Sequence, residues 1–316
     1  MGRPDREENE MNRFKRTKST QTRERRMLSA RLLLIYAAAT AILWLTITRH
    51  AGPASGEHLN TTSVKTQSPL SKERFKVAVF NIHSGKGTDG RRDLNRTADL
   101  LDGIDLAGLN EVAGATLASP NQAKILGDKL KIPWLYAPTE ILWGRPDFGN
   151  AVLSRLPVRS WLRIPLASKG LEPRRNVVLV KVAHPKGNIN VLVTHLADKE
   201  HDPAQLRTVI DLFLSLEEPV ILMGDLNNKS DNPVMRALLD RPDVASALDA
   251  DQTLQGRKFI DWIIFRGLQC VGSEAIPPSA SDHPLVCAEF LWPDENVIGK
   301  YPDLQEACLV SQSYAE

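Results

Sequence analysis

Cysteine and net charge are both scarce in this sequence, and each scarcity excludes a class of protein. The 316 residues contain three cysteines, Cys270, Cys287 and Cys308. Their number and spacing give neither a disulfide framework nor a thiolate metal site. We expect Cys270 and Cys287 to be buried apolar residues of strands, with a bridge between neighbouring strands as the alternative. The formal net charge of +2 argues against a protein that binds polyanions strongly.

The sequence also lacks an internal repeat of fixed period, and its basic residues are unevenly placed. Residues 13–31 contain eight lysines and arginines but a single acid, whereas residues 71–292 contain 27 basic and 27 acidic residues. The neutral part lacks the broad basic face of a protein that binds duplex DNA tightly. The excess charge lies in an N-terminal head, residues 1–31, which is predicted to be disordered.

An uncharged apolar run, LLLIYAAATAILWLTIT, occupies residues 32–48 between Arg31 and Arg49. A helix of this length spans about 26 Å, close to the roughly 30 Å of a bilayer core. The basic head before it predicts a single-pass anchor with a cytoplasmic N-terminus and the rest of the chain on the outer, periplasmic or extracellular side. A cleaved signal peptide, which would give a secreted protein, and a helix of a soluble core are the alternatives.

Composition predicts the remaining boundaries. Residues 49–74 are rich in Gly, Pro, Ser and Thr and are predicted to form a flexible linker. Residues 75–291 alternate apolar runs with helical patterns and are predicted to form one folded domain, followed by a loosely ordered tail over 292–316. The runs 175–185 and 189–198 are joined by a KGN turn, as in a hairpin. The expected class is α/β (α+β), with mixed sheets covered by helices.

Polar residues recur at the apolar runs, and most of them follow a run on its C-terminal side. Those that follow a run are Asn81, Glu111, His195 and Asp225 with Asn227; Asp261 lies inside a run, and Asp282-His283 lie in a loop just before one. Each has an ordinary interpretation alone: Glu111 as a surface carboxylate, His195 as a structural histidine, Asp282 as part of a turn. Asp261 is harder to explain in this way, because a carboxylate inside an apolar strand is costly unless it is paired.

The stretch PVILMGDLNNKSDNP, residues 219–233, shows this pattern most clearly. Alternate residues of a strand point to the same side. Asp225 and Asn227 are therefore predicted to face one side together, with Leu226 turned inward. Residues 228–233 are predicted to turn into the next helix.

Seven motifs occur in the order in which one known family carries them. They are FNIHSG, LAGLNEV, FGNAVLS, VLVTHL, VILMGDLNN, FIDWIIF and SDHP. In this set the chain resembles the endonuclease/exonuclease/phosphatase superfamily, the DNase I-like and exonuclease III-like phosphoesterases. The resemblance implies a four-layer sandwich of two packed mixed β-sheets flanked by helices. The sequence departs from the family at Asn110, usually Gln, and at His83, where several nucleases carry an acid.

The resemblance implies a Mg²⁺ cofactor, with Mn²⁺ as the alternative. Glu111 would be the principal metal ligand, and Asn81 would lie close to the metal and the phosphate. Asp282 would lie beside the metal or its water molecules. Mg²⁺ prefers hard oxygen ligands, which suits these residue types better than a cysteine cage.

The resemblance also implies catalytic roles for five residues. Asp225 would orient or deprotonate the attacking water, and Asn227 would hold the same region by hydrogen bonds. His195 and His283 would bind the phosphate oxygens, and Asp261 would pair with His283. A histidine held by a buried carboxylate has a fixed tautomer and a stabilised positive charge, which suits hydrolysis of an anionic ester.

Three further positions are predicted to bind the substrate phosphate. Arg174 and Arg175, in the segment EPRRN, offer the forked donors with which arginine binds phosphate oxygens. A solvated pair at the start of a strand is the alternative. Asn150, in FGNAVLS, matches a family position, and a loop-to-strand cap is its alternative interpretation.

The sequence therefore predicts a membrane-tethered, Mg²⁺-dependent phosphoesterase that hydrolyses phosphodiester or phosphomonoester bonds by metal-assisted in-line attack of water. Nucleic acid, phospholipid and inositol phosphate all stay open as substrates, and no obligate protein partner is predicted. The alternatives are a non-catalytic binding or scaffold module on the same fold, and a nucleic-acid endonuclease proper, in the cytoplasm if the apolar run is not an anchor.

Overall fold

The architecture is taken from a computed structural model of the protein. The residues that it describes are 13, 23, 26–43, 55–57, 74–140, 148–168, 174–183, 187–197, 203–249, 253–254 and 257–292. Most of the predicted head, linker and tail lies outside these residues. The chain divides into two compact units, residues 1–49 and 50–316.

In the first unit, helix α1 (Arg26–Leu43) is long and apolar enough to cross a membrane. Its 18 residues have a mean hydropathy of 1.5, and none of them is buried. The helix overlaps the predicted span, of which residues 44–48 lie outside the described part of the chain. An N-terminal helix of this length and composition suits either a membrane anchor or a signal sequence.

The described part of the second unit consists of short strands and four helices. The strands are β1 (Ser55–Glu57), β2 (Arg74–Asn81), β3 (Leu106–Ala113), β4 (Trp134–Glu140), β5 (Phe148–Ser154), β6 (Val158–Leu166), β7 (Arg175–Val182), β8 (Ile189–His195), β9 (Val220–Asp225), β10 (Ala245–Ser246), β11 (Thr253–Leu254), β12 (Arg257–Lys258), β13 (Asp261–Arg266), β14 (Gln269–Ile276) and β15 (Leu285–Leu291). The helices are α2 (Leu94–Leu101), α3 (Gln122–Leu130), α4 (Pro203–Ser215) and α5 (Pro233–Leu239). A short 3-10 turn, His83–Gly85, follows β2.

Most strands belong to two mixed sheets. Sheet 1 has the order β1-β4-β5-β3-β2-β15-β14, and sheet 2 has the order β10-β13-β9-β8-β7-β6. The pairs β2–β3 and β8–β9 are parallel, and each lies inside its sheet. The β7–β8 hairpin is antiparallel, as the KGN turn predicts.

The two sheets pack face to face over a shared apolar core. This core joins side chains such as Val79 and Leu106 of sheet 1 to Val193 and Met223 of sheet 2. A second cluster packs α2 and α3 on the outer face of sheet 1, and a third packs α4 and α5 on the outer face of sheet 2. The layers are therefore helix, sheet, sheet and helix, and the predicted four-layer sandwich is confirmed.

The central strands and the helix starts have clear sequence signals. Every residue of β8 and β9 is buried. A strand that is covered on both faces needs apolar residues at successive positions, and VILM in β9 is such a run. Helix α2 begins after Asp93, whose side chain accepts from Asn95 N–H at 2.8 Å. Helix α3 begins after Asn121, whose side chain accepts from Lys124 N–H at 2.8 Å. These caps satisfy N–H groups that the first turn leaves without a helical partner.

Two of the longer strands, β4 and β6, were not apparent from the sequence pattern. The pattern predicts one strand over residues 148–158, but β5 ends at Ser154, whose hydroxyl donates to the Leu156 carbonyl at 2.8 Å, before β6 begins. The pattern also misses β4. Each overlooked strand contains a proline, Pro138 in β4 and Pro165 in β6. Proline weakens a strand signal because it has no N–H for the ladder.

Candidate functional site

The two parallel strand pairs meet at one edge of the sandwich, and the predicted site residues lie there. Asn81 is the last residue of β2, His195 of β8 and Asp225 of β9. Glu111 lies in β3 at a bulge in the pairing with β5, and its φ is +54°. A bulge re-aims the side chain that it carries, and a positive φ is uncommon outside glycine. The backbone thus turns Glu111 toward this edge.

The amide of Asn81 connects the two sheets. Its Nδ2 donates to Glu111 Oε1 at 3.2 Å and to Asp225 Oδ2 at 3.0 Å. Its Oδ1 accepts from His83 N–H at 3.1 Å, which fixes the orientation of the amide. Asn81 therefore brings together a carboxylate of sheet 1 and a carboxylate of sheet 2 without adding charge.

Asp225, Asp261 and His283 form a compact buried cluster. Asp261 starts β13 and lies opposite Asp225 in the antiparallel β9–β13 register. His283 Nδ1 lies 2.8 Å from Asp261 Oδ2, and His283 Nε2 lies 3.8 Å from Asp225 Oδ2. Each residue offers one ligand atom, and these atoms lie within 4.8 Å of one another. The cluster is a candidate metal-binding group, made of residues predicted as catalytic rather than as ligands.

The donor atoms at this edge fit a divalent cation. Asp261 Oδ1 is buried and has no hydrogen-bond partner among the described residues. Within the cluster, His283 Nδ1 already bonds Asp261, so the carboxylate oxygens are the more available ligands. Glu111 adds a carboxylate on the other side of the Asn81 amide. Hard oxygen ligands of this kind suit Mg²⁺.

The pKa values of the cluster distinguish a positively charged histidine, His283, from a carboxyl group, Asp225, that can accept a proton. Burial and the nearby Asp261 carboxylate raise the pKa of Asp225 to about 7. Burial also raises the pKa of Asp261. Burial alone would lower the pKa of His283, but the hydrogen bond and charge of Asp261, with the charge of Asp225, raise it to about 9. His283 is therefore a cation at neutral pH, whereas Asp225 titrates near neutrality.

His195 contacts the same carboxylate from the other side and is neutral. Its Nε2 lies 3.5 Å from Asp225 Oδ2, and its Nδ1 lies 3.4 Å from Arg175 Nη1. Burial, with the charges of Arg175 and His283, holds the pKa of His195 well below its usual range. A guanidinium only donates, so Nδ1 accepts and the hydrogen of the neutral ring lies on Nε2. Two imidazole N–H groups thus point toward the site.

Asp282 lies at the rim of the site in contact with a third histidine, His83. Its Oδ1 lies 2.9 Å from His83 Nδ1, and both side chains are more than a third exposed. Ser281 Oγ donates to the same carboxylate at 3.2 Å. His83 has a φ of +44° in the turn after β2. The sequence marks His83 only as a departure from the family, and this contact across the rim has no sequence signal.

Asn227 reaches the site through a turn rather than by continuing β9. The strand ends at Asp225, and Asn227 has a φ of +50°. Asp225 Oδ1 accepts from Asn227 N–H at 3.0 Å, and Asn227 Nδ2 donates to the Leu196 carbonyl at 2.9 Å. Leu226 is fully buried, as predicted. The predicted strand alternation is wrong, because an Asx-type turn replaces the strand at this point.

The three predicted phosphate-binding residues occupy different places. Arg175 lies at the site beside His195, and Arg174 lies half-buried just before β7. Asn150 lies beneath the site and is fully buried. Its Oδ1 accepts from Asn110 Nδ2 at 2.8 Å, so its amide already has protein partners. The structure thus brings Arg175 to the predicted site and places Asn150 in the interior between the sheets.

Fold and site together define a class. A four-layer α/β sandwich whose two sheets share an edge of carboxylates, an Asp–His pair and a second histidine is the architecture of metal-dependent phosphoesterases. A sequence model of the Endonuclease/Exonuclease/phosphatase family matches residues 78–283. The chain belongs to this family, and the resemblance inferred from its motifs is confirmed.

Solved structures of low sequence identity share the fold. An endonuclease/exonuclease/phosphatase from Beutenbergia cavernae is 22% identical, with a TM-score of 0.60, over 70% of this chain and 72% of its own. A family protein from Leptotrichia buccalis is 16% identical, with a TM-score of 0.56, over 69% and 100%. D. rerio TDP2, in complex with a single-strand DNA product, is 15% identical, with a TM-score of 0.53, over 70% and 100%. No curated protein matches the sequence.

Proposed function

We propose that this protein is a Mg²⁺-dependent phosphoesterase that hydrolyses phosphodiester or phosphomonoester bonds. The observation that carries the proposal is the arrangement around Asp225. One buried carboxylate contacts the Asp261–His283 pair, His195 and the Asn81 amide that also binds Glu111. Such an arrangement offers a base, cationic and neutral N–H donors, and oxygen ligands within one small volume.

Glu111 is proposed as the main metal ligand, with carboxylate oxygens of the cluster and Asp282 nearby. A bound Mg²⁺ would supply positive charge against the phosphate oxygens. Asn81 would hold the Glu111 and Asp225 carboxylates in place through its two hydrogen bonds. Two carboxylates that face each other repel. The amide donor between them lowers this electrostatic repulsion and does not itself occupy a metal-ligand position.

Asp225 is proposed to orient and deprotonate the attacking water. Its pKa of about 7 leaves it as a carboxylate above neutral pH, where it accepts a proton readily. Asn227 N–H donates to one of its oxygens, which leaves the other oxygen directed to the site. The turn at Asn227 therefore fixes the rotamer of the proposed base.

The two histidines are proposed to bind the phosphate oxygens. His283 carries a positive charge, held by the buried Asp261, and presents Nε2–H. His195 presents a neutral Nε2–H, because Arg175 lies against its Nδ1. Both donors are fixed in place before substrate binds, so little reorganisation is needed as charge develops on the phosphate.

The experiment is a Mg²⁺-dependent substrate screen of the full chain. The substrates are bis-aryl and mono-aryl phosphate, single- and double-stranded DNA, phospholipid vesicles and an inositol phosphate, each with Mg²⁺ or EDTA. We expect Asp225→Ala and His283→Ala to lower kcat by about 10²-fold or more on the preferred substrate.

Asp128→Ala, which removes an exposed carboxylate of α3, is the matched control and should keep full activity. If both site variants retain wild-type Mg²⁺-dependent turnover, the proposed mechanism is wrong. A protein that binds no divalent metal and cleaves none of the substrates would favour the non-catalytic module.

We also propose that α1 tethers the enzyme to a membrane, with the catalytic unit on the outer side. The support is the mean hydropathy of 1.5 over Arg26–Leu43 and the basic residues that precede it. A tether of this kind would concentrate the enzyme near phosphoesters at a membrane surface.

A further inference from the structure

A buried polar network lies between the two sheets directly beneath the proposed site. Its members are Asn110 of β3, Asn150 of β5, Asn176 of β7 and Thr194 of β8, and we call it the asparagine network. Each of the four is at most 2% exposed. The network crosses a core that otherwise joins the sheets through apolar side chains such as Val193 and Met223.

Asn110 is the member that binds Asp225. Its Oδ1 accepts from Asp225 N–H at 2.9 Å. Its Nδ2 donates to the Thr194 carbonyl at 3.0 Å and to Asn150 Oδ1 at 2.8 Å. One side chain of sheet 1 therefore holds the backbone of β8 and β9 in sheet 2.

Asn150 and Asn176 extend the network across the core. Asn150 Nδ2 donates to Asn176 Oδ1 at 3.0 Å. Asn176 Nδ2 donates to the Pro138 carbonyl of β4 at 2.9 Å. Thr194 Oγ1 donates to the Asn176 carbonyl at 3.0 Å. Hydrogen bonds thus run from sheet 1 to sheet 2 and back to sheet 1.

Three members of the network are chain neighbours of the proposed site residues. Asn110 precedes Glu111, Thr194 precedes His195, and Asn176 follows Arg175. The Asn110 amide bonds the backbone at Asp225 and at Thr194, and therefore ties the chain beside Glu111 to the strand ends that carry Asp225 and His195.

The energetics make the network sensitive to the distance between the sheets. A buried amide left without a partner costs about 1–3 kcal/mol, and each asparagine here bonds through both ends of its amide. A small displacement of one sheet would leave several such groups without partners. The network consequently favours one relative position of the sheets at this edge.

We propose that the asparagine network is a positioning frame, which holds Glu111 of sheet 1 in fixed register with Asp225 and His195 of sheet 2. This inference rests on the proposed function, because it assigns the frame to the metal and base of that site. Its members are positioning residues, since they are buried beneath the site and act through their neighbours.

The test compares Asn110→Ala with Asn190→Ala in the full chain. Asn190 is also buried in β8, and its Nδ2 donates to the Glu217 carbonyl at 3.0 Å, but it lies at the end of β8 opposite His195. Both variants lose a buried asparagine, and Asn110→Ala should lose more Tm because it leaves three buried partners unpaired, whereas Asn190→Ala leaves one. The readouts are kcat and KM on the preferred substrate, and the Kd for Mg²⁺ measured by calorimetry.

We expect Asn110→Ala to lower kcat by about 10²-fold, because a misplacement of about 1 Å costs that much, with KM little changed. The Kd for Mg²⁺ should rise about 10-fold, as when a supporting residue of a metal site is removed. Asn190→Ala should keep wild-type kcat and Kd. If Asn110→Ala does not fold by circular dichroism, Asn176→Ala takes its place with the same expected directions.

Equal kcat and equal Kd for Mg²⁺ in the Asn110→Ala and Asn190→Ala proteins would overturn the positioning frame and leave the proposed function intact. A wild-type protein that hydrolyses no substrate with Mg²⁺ would instead overturn the proposed function. In that case the calorimetric Kd for Mg²⁺ still decides whether the frame holds the metal-binding residues.

Discussion

At the scale of single residues, Asp225 illustrates a conflict between stability and the proposed activity. Its carboxyl is 1% exposed and lies beside another buried carboxylate, Asp261. Its pKa of about 7 exceeds the ordinary value of 3.8, so the folded state binds the proton more tightly than the unfolded state. The resulting stabilisation is complete below pH 3.8 and is lost as the pH rises through about 7. Above neutral pH the fold carries the cost of a buried charge.

We therefore expect Asp225→Asn to be more stable than the wild type at pH 8, although inactive. The gain is at most about 4 kcal/mol, from the displacement of the pKa at 1.36 kcal/mol per pH unit. Melting curves at pH 5 and pH 8 in EDTA measure it, because a bound cation would itself lower the pKa of Asp225.

The matched control for this prediction is Asp128→Asn, which replaces an exposed carboxylate on α3. Its Tm should differ little from wild type at either pH. A lower Tm for Asp225→Asn than for the wild type at pH 8 in EDTA would show that the buried charge is not destabilising.

The sequence predicted the members of the candidate site better than the contacts among them. Asn81, His195 and Asp225 were recognisable because each follows an apolar run, and the carboxyl ends of parallel strands collect at one edge. The contact between His83 and Asp282 was not predictable, nor was the place of Asn150. The first contact joins residues nearly two hundred positions apart, and Asn150 bonds a residue 40 positions away. Neither contact follows from a local sequence pattern.

At the scale of secondary-structure elements, the close approach of β8 and β9 depends on Gly224. Its φ is +155°, and a Cβ built there would lie 1.8 Å from the Thr194 carbonyl oxygen. The obstacle is backbone of the neighbouring strand, so no side chain can move to relieve it. Gly224→Ala should lower the free energy of unfolding by about 3 kcal/mol and Tm by about 6–12 °C.

Gly272→Ala on β14 is the control, because a Cβ there would meet nothing within 4 Å. Thermal melts of the two variants test the prediction, and kcat should fall in Gly224→Ala because Asp225 is the next residue. Equal melting temperatures of the two variants would mean that β8 and β9 can move apart at this point without loss of stability.

The elements that the sequence predicted differ in burial from those that it did not. β8 and β9 are covered on both faces, so their residues form continuous apolar runs that few other structures would use. β6 lies at the edge of sheet 2 with a mixed burial pattern and contains Pro165. An edge strand needs less apolar sequence, so composition distinguishes it poorly from a loop.

At the scale of the whole molecule, the role of α1 gives a direct prediction. The full chain should sediment with membranes and resist extraction by alkaline carbonate. Leu34→Arg combined with Ala41→Arg should release it, because each central arginine costs about 2.5–3.5 kcal/mol in membrane insertion. Protease added to the outer side should digest the catalytic unit, and a soluble product that starts beyond α1 would show a cleaved signal sequence instead.

The Asn81–Asp225 hydrogen bond has a consequence for the folding of each newly synthesised chain. It joins residues 144 positions apart, and the Asp261–His283 pair that completes the cluster lies C-terminal to both of them. Contacts between such distant segments form late, after the entropy of closing long loops has been overcome. A partly synthesised or half-folded chain therefore has only fragments of the candidate site, and the proposed activity would begin only after these distant segments have come together.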